Sequence, residues 1–227
     1  MEPTTAVDAA QAADGAHWIA KAFHEGGPAM IFIGMVGVAT LLLIIFRLIN
    51  LSKMTVDKED FNEKIFGMIL RGDVNQALAF CNSKQAPLTN VLKAGLDQVR
   101  NKRPDEEVQV AMDSAVLRET PKIEGYTGFL AVFGNVSTLI GLLGTIVGLI
   151  ISFGSIGAAD PAEKANMLSR GISEALNCTA FGLIVAIPAL IFFGYFQIRV
   201  SRLLNDMVES SMSLMNLVVA NRDKMKE

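Results

Sequence analysis

Two apolar stretches of the chain contain polar residues that can bind a cation or a water molecule. The first stretch reads LIGLLGTIVGLIISFG and contains Thr145. The second reads GISEALNCTAFGLIVAIPAL and contains Glu174, Asn177 and Thr179. Hydrocarbon offers no hydrogen bonds, so hydroxyl, amide and carboxylate groups in or beside a membrane span need protein or water as neighbours. The pattern therefore indicates a lined cation pathway rather than an inert anchor, with these four residues as its candidates.

The same residues also have ordinary structural interpretations. A threonine in a membrane helix can donate to the carbonyl one turn earlier, and Glu174 can be an interfacial acid in water. Small and polar residues in and just before the first stretch recur every three or four positions, at Gly134, Thr138, Gly141, Thr145, Gly148 and Ser152. This spacing is typical of close helix packing, and it predicts packing roles for Gly141, Gly148 and, on the second stretch, Gly182. Pro188 removes one backbone hydrogen bond and is predicted to kink its helix.

The elements that position these residues are predicted to be three membrane-spanning helices. The chain has 227 residues, of which 51% are hydrophobic and 19% charged, so it is more apolar than a typical soluble domain. Apolar runs near the roughly 20 residues that cross a bilayer predict spans at 28–51, 128–154 and 172–198. The turn at 155–171 contains Asp160 and Pro161, and its shortness predicts an antiparallel hairpin of the second and third spans.

The remaining segments are predicted to be an outer N-terminal segment at 1–27, a helical domain at 52–127 and a C-terminal helix at 199–227. The GDVNQALAFC stretch has apolar residues at helical spacing, and Pro104 followed by three acids is typical of a helix start. Because no segment has the two-residue period of a strand, the fold class is predicted to be all-α. An apolar stripe that continues past the third span predicts helices that extend into the cytoplasm.

Lysine and arginine predict the orientation in the membrane. They are frequent between Arg47 and Lys122 and in the C-terminal tail, whereas the other side has only Lys21, Lys164 and Arg170. By the positive-inside rule, the N-terminus and the short turn are outside and the C-terminus is cytoplasmic. Arg47 interrupts the end of the first apolar run, and its long side chain is predicted to snorkel to the interface.

Composition and motifs exclude several function classes. The net charge of −3 and the absence of a single basic patch argue against nucleic-acid binding. Cys81 and Cys178 have no CxxC or Cys/His spacing, so no metal site is predicted. No nucleophile–base pair, phosphate loop or dinucleotide fingerprint occurs, which predicts neither an enzyme nor a cofactor. Because the N-terminus lacks a basic region before an apolar core, no cleaved signal peptide is expected.

The runs LIGLLGTIVGLIISF and GISEALNCTAFGLIVAIPA, together with GDVNQALAFC, resemble the ExbB/TolQ family of bacterial inner-membrane channel subunits, which are relatives of MotA. The resemblance extends from about Gly26 onward. It implies a homopentamer of three-span subunits around two copies of a single-span ExbD/TolR-like partner that carries a membrane Asp. In this resemblance Thr145 and Thr179 match the pore threonines, and Glu174 matches the acid of the third span. Asn177 departs from the apolar residue usual there, which leaves proton and sodium coupling both open.

The resemblance implies a stator subunit that uses the proton motive force to energise an envelope process, of TonB-dependent, Tol-Pal or gliding type. A TonB/TolA-like or gliding-machinery protein would be the further partner. A different class of hypothesis is a membrane scaffold whose Gly and Ala faces only pack helices. A substrate-specific permease is less favoured, because three spans leave little room for a midplane site between inverted repeats.

Overall fold

The computed structural model describes residues 29–84, 86–156 and 161–221, and these residues form helices joined by short connections. The helices are α1 (Ala29–Met54), α2 (Lys58–Leu70), α3 (Val74–Ser83), α4 (Pro87–Arg100), α5 (Asp105–Glu124), α6 (Thr127–Ile156) and α7 (Pro161–Ala220). Within the described residues no strand occurs, in agreement with the predicted all-α class. The predicted N-terminal segment at 1–27 lies outside these residues.

Three of these helices, α1, α6 and α7, are long and apolar enough to cross a membrane, which confirms that part of the prediction. The exact span boundaries stay predictions. The 60 residues of α7 would measure about 90 Å if straight, three times the thickness of a bilayer's hydrocarbon core. Residues 161–171, which we predicted as part of the outer turn, are helical, because the fixed φ of Pro161 suits the first position of a helix. Asp160 lies outside the described residues.

The described chain divides into two compact units. One, the membrane unit, consists of residues 29–44 and Phe129–Phe193. Its small core contains Met30, Ile33 and Phe181, and most of its other large apolar side chains point outward, for example Ile150 at 66% and Ile191 at 64% exposed. Contiguous apolar surface of this kind is expected to be covered by lipid or by other protein chains.

The second unit, the helical unit, consists of Ile45–Gly128 and residues 194–221, and it has a conventional buried core. Val74, Ala77, Leu78 and Cys81 are all buried along one face of α3, as their spacing predicted. Helix α5 begins directly after Pro104 with three acids in its first turn, also as predicted. Burial raises the pKa of the Cys81 thiol to about 11, so this cysteine behaves as an apolar core residue.

Arg47 of α1 is the least expected residue of the helical unit, because its side chain is only 1% exposed. The two N–H groups of its Nη2 are shared among three acceptors, the carbonyl oxygens of Ile123 at 2.5 Å and Glu124 at 2.8 Å and the Thr127 hydroxyl at 2.5 Å. The last carbonyls of a helix have no partner inside it and form the negative end of its dipole, so a guanidinium is well suited to them. The prediction that Arg47 snorkels to the interface was therefore wrong.

Gly125 separates α5 from α6 with a positive φ of 42°, a conformation that L side chains rarely adopt. A Cβ atom built at this position would lie 2.7 Å from Arg47 Nη1. The break between the two helices thus requires glycine both for its backbone angle and for the space that the buried guanidinium occupies.

Candidate ion pathway at the paired threonines

Thr145 of α6 and Thr179 of α7 are hydrogen-bonded directly to each other through their hydroxyl groups. The Thr145 hydroxyl also lies 3.1 Å from the carbonyl oxygen of Gly141 and 3.1 Å from that of Ala175. The Thr179 hydroxyl lies 3.3 Å from the same Gly141 oxygen. Each hydroxyl has one proton to donate, so this cluster holds more acceptors than protons. Either hydroxyl can therefore rotate its proton toward a carbonyl and present a lone pair elsewhere.

Glycines allow the two helices to approach closely enough for this contact. A Cβ atom at Gly141 would lie 2.9 Å from the Cys178 carbonyl oxygen, and one at Gly182 would lie 2.8 Å from that of Ser137. Gly148 is less crowded, since its Cβ atom would meet the Ala175 methyl group at 3.2 Å. The contact depends on the absence of a side chain at 141 and 182, because the obstructing atoms belong to the backbone.

We expect Gly182→Ala to weaken the pairing of α6 and α7, because the new methyl group must displace a backbone carbonyl. Overpacking of this kind costs about 1–3 kcal/mol. The measurement is the thermal midpoint at which the helical circular-dichroism signal is lost in detergent, and we expect this midpoint to fall. Gly194→Ala on the same helix is the matched control, since in the described residues no atom beyond its local helix backbone lies within 4 Å of a Cβ placed there. There alanine should be neutral or slightly stabilising. Equal thermal midpoints for the two variants would contradict the close packing at Gly182.

Sequence reasoning missed two residues of this interface. Ser137 is fully buried and donates to the Gly182 carbonyl oxygen at 3.2 Å. Gly144 is also buried, and a Cβ atom there would lie 3.0 Å from the Cys178 Cβ and 3.1 Å from the Ala29 Cβ. Gly134, Ser137, Gly141 and Gly144 are all buried along this side of α6. Their alternating spacing of three and four was present in the sequence, interleaved with the stripe that contains Thr138 and Thr145.

The other predicted pathway residues do not join the threonine pair. Glu174 is half-buried and lines an apolar cavity of about 340 Å³ with Gly144, Cys178 and Phe32. Asn177 is half-buried as well. In the part of the chain that the structure describes, neither side chain hydrogen-bonds to Thr145 or Thr179. Pro188 is exposed inside the continuous helix α7, and its predicted kink stays a prediction.

A family profile and individual relatives agree on the kind of protein that this sequence resembles. The sequence profile of the MotA/TolQ/ExbB proton channel family matches residues 83–209, more than half of the chain. The Tol-Pal system protein TolQ of Pseudomonas aeruginosa is 42% identical over 94 residues, which cover 41% of this chain and 40% of that protein.

The biopolymer transport protein ExbB of Xanthomonas campestris pv. campestris is 38% identical over 92 residues, which cover 40% of this chain and 36% of that protein. The ExbB protein of Salmonella typhimurium is 30% identical over 118 residues, which cover 50% of this chain and 48% of that protein. The chain thus matches less than half the length of each of these relatives.

Proposed function

The chain belongs to the MotA/TolQ/ExbB proton channel family, and from that premise we propose that it is a cation-conducting stator subunit of a bacterial inner-membrane motor. The family is one of channels, not a class of enzymes. The relatives named above belong to the Tol-Pal system or to biopolymer transport. We accordingly propose that this subunit energises an envelope process, of Tol-Pal, TonB-dependent or gliding type, with a TonB/TolA-like or gliding-machinery protein as the recipient.

The observation that carries the proposal is the hydroxyl pair of Thr145 and Thr179 between two helices that can cross a membrane. A cation that enters an apolar region loses its water, and oxygen atoms without fixed charge can replace part of that hydration. Because the pair has alternative acceptors in Gly141 and Ala175, it can also donate to a carboxylate that loses a proton. One charge that moves down 100 mV releases about 2.3 kcal/mol, so a few ions can drive a conformational step.

The assembly that we propose is a homopentamer around two copies of a single-span ExbD/TolR-like partner whose membrane Asp exchanges the proton. The apolar side chains that the membrane unit exposes support coverage by lipid and by further chains. The protein would be a multi-pass inner-membrane protein with its N-terminus in the periplasm and its C-terminus in the cytoplasm, which the distribution of Lys and Arg supports. Glu174 and Asn177 are proposed to lie along the same route, and Gly141, Gly148, Gly182 and Pro188 to shape its helices.

The test is ion flux into liposomes that contain the protein and its genetically linked single-span partner, under separate proton and sodium gradients. Flux that follows the proton gradient alone supports proton coupling. Flux that follows the sodium gradient alone supports the sodium-coupled alternative, for which Asn177 offers an additional oxygen ligand near the pathway. An intact complex that conducts neither ion would contradict the proposal and favour a structural scaffold, whose glycine packing between α6 and α7 would then be the whole role of this interface.

A further inference from the structure

A cavity of about 260 Å³ lies in the helical unit, between the end of the apolar part of α1 and α7. Its apolar wall includes Leu51, which is 5% exposed, and Phe196, which is fully buried. Its polar lining residues are Ser52, Thr55, Tyr195 and Arg199, and the Thr55 hydroxyl already donates to the Leu51 carbonyl oxygen at 2.9 Å. We call it the Arg199 cavity. One side of it is suited to a hydrocarbon chain and the other to an anion.

The position of the Arg199 cavity along the two helices corresponds to the edge of a bilayer. In α1 the apolar run ends near Leu51 and is followed by Ser52 and Lys53. In α7 the run that ends with Phe196 is followed by Gln197 and Arg199. A helix leaves the hydrocarbon region where its apolar residues give way to polar ones, and lipid headgroups occupy that depth. This position therefore favours a membrane lipid as the ligand.

The charge of the cavity favours a phosphate. Arg199 Nε donates to the Tyr195 hydroxyl oxygen at 3.3 Å, and the guanidinium carbon lies 5.9 Å from the centre of the Tyr195 ring. These contacts orient the guanidinium but occupy only one of its five N–H groups. Among residues 29–84, 86–156 and 161–221, Arg199 forms no salt bridge. An oriented guanidinium with free N–H groups matches the oxygens of a phosphate in a bidentate geometry.

Two other places in the helical unit, Lys58 and a second cavity, are less suited to this ligand. Lys58 is already paired with Asp206 at 3.3 Å and Glu209 at 2.5 Å. A second cavity, of about 490 Å³ and partly polar, is lined by Glu124, whose carboxylate would repel a phosphate. Among the described residues that line the Arg199 cavity, none carries a carboxylate.

We propose that the Arg199 cavity binds the phosphate of an anionic phospholipid such as phosphatidylglycerol. The guanidinium and the Tyr195 and Ser52 hydroxyls hold the phosphate, while an acyl chain lies against Leu51 and Phe196. This site is independent of the threonine pair and goes beyond the proposed function, because its occupancy is measured by lipid binding and not by ion flux.

The experiment measures lipid retention by native mass spectrometry of the purified full-length protein in detergent, supplied with equal amounts of phosphatidylglycerol and phosphatidylcholine of the same acyl composition. We expect preferential retention of phosphatidylglycerol. Arg199→Gln should lower that retention about tenfold, the effect of losing a charge-assisted hydrogen-bonded contact. Tyr195→Phe, which keeps the ring, should lower it less. Arg202→Gln is the matched control, because Arg202 is exposed one turn later on the same helix and does not line the cavity.

Three results would overturn the proposal. The first is equal retention of the two lipids by the unsubstituted protein. The second is an equal loss in Arg199→Gln and Arg202→Gln, which would indicate general surface charge. The third is displacement of the lipid by glycerol 3-phosphate at equal concentration, which would indicate a site for soluble phosphate esters. Retention that falls in Tyr195→Phe with an unchanged circular-dichroism spectrum supports the proposal without depending on the folding of the arginine variant.

Discussion

Replacing Thr145 and Thr179 together with valine is expected to lower ion flux by about a hundredfold in liposomes that hold the protein and its single-span partner. Each lost hydroxyl removes one hydrogen-bonding partner of the ion or of its water, at about 1–3 kcal/mol per group, and every 1.36 kcal/mol changes a rate about tenfold. Valine has nearly the shape of threonine. The carbonyls of Gly141 and Ala175 keep their bonds within their helices, so the fold should persist.

Two controls separate the loss of the hydroxyl groups from a change in packing. The double variant Thr145→Ser/Thr179→Ser keeps both hydroxyls and should retain most of the flux. Thr138→Val removes a hydroxyl two turns earlier on α6 that donates only within its own helix, to the Gly134 carbonyl oxygen at 3.1 Å. This variant should conduct normally. Undiminished flux in the valine pair, or an equal loss in Thr138→Val, would show that the pair has no specific role in conduction.

Arg47→Met is expected to destabilise the protein by about 3 kcal/mol, because two backbone carbonyls and a hydroxyl lose their buried donor. In a chain of this size that corresponds to a fall of about 6–12 °C in the thermal midpoint. The hydrogen bonds join α1 to the junction of α5 and α6, which is 76 residues later in the chain. The measurement is the thermal midpoint of the circular-dichroism signal in detergent.

Arg118→Met is the control for Arg47→Met, since Arg118 is an exposed arginine on α5. It should leave the midpoint within about 1–2 °C, as surface substitutions usually do. Gly125→Ala tests the same junction from its other side and should be destabilising. Gly128→Ala should not be, because in the part of the chain that the structure describes no atom beyond the local helix backbone lies within 4 Å of a Cβ placed there. A midpoint for Arg47→Met that equals that of Arg118→Met would show that the carbonyls are satisfied without the guanidinium.

Several features of the molecule follow from the sequence because their cause is local. An apolar run of about 20 residues forms a membrane-spanning helix almost regardless of its neighbours, since every backbone group must be satisfied within the segment. The buried face of α3 and the first turn of α5 are equally local, because they depend on spacing and capping within a few residues. The polar residues in the two apolar runs were visible for the same reason, and they include both members of the hydroxyl pair.

The threonine pair shows where the sequence leaves alternatives open. A stripe through Thr138 and Thr145 and a stripe through Ser137 and Gly144 run side by side on α6, and both have the spacing of a packed face. Tertiary packing decides between them: Ser137 and Gly144 are buried, whereas Thr138 and Thr145 remain half-exposed at the edge. That edge position lets the Thr145 hydroxyl contact Thr179 while the residue as a whole stays half-exposed.

The buried contacts of Arg47 and the formation of the Arg199 cavity depend on tertiary structure alone. The partners of Arg47 are mainly backbone carbonyls, and every residue type has a carbonyl, so the contact leaves no pattern in the sequence. The cavity combines side chains from α1 and α7 that are more than 130 positions apart. The sequence by itself determined that three helices can cross a membrane and which polar residues they carry. Only the packed structure determined which of those residues touch, because long-range contacts depend on the register and rotation of whole helices, which local composition does not specify.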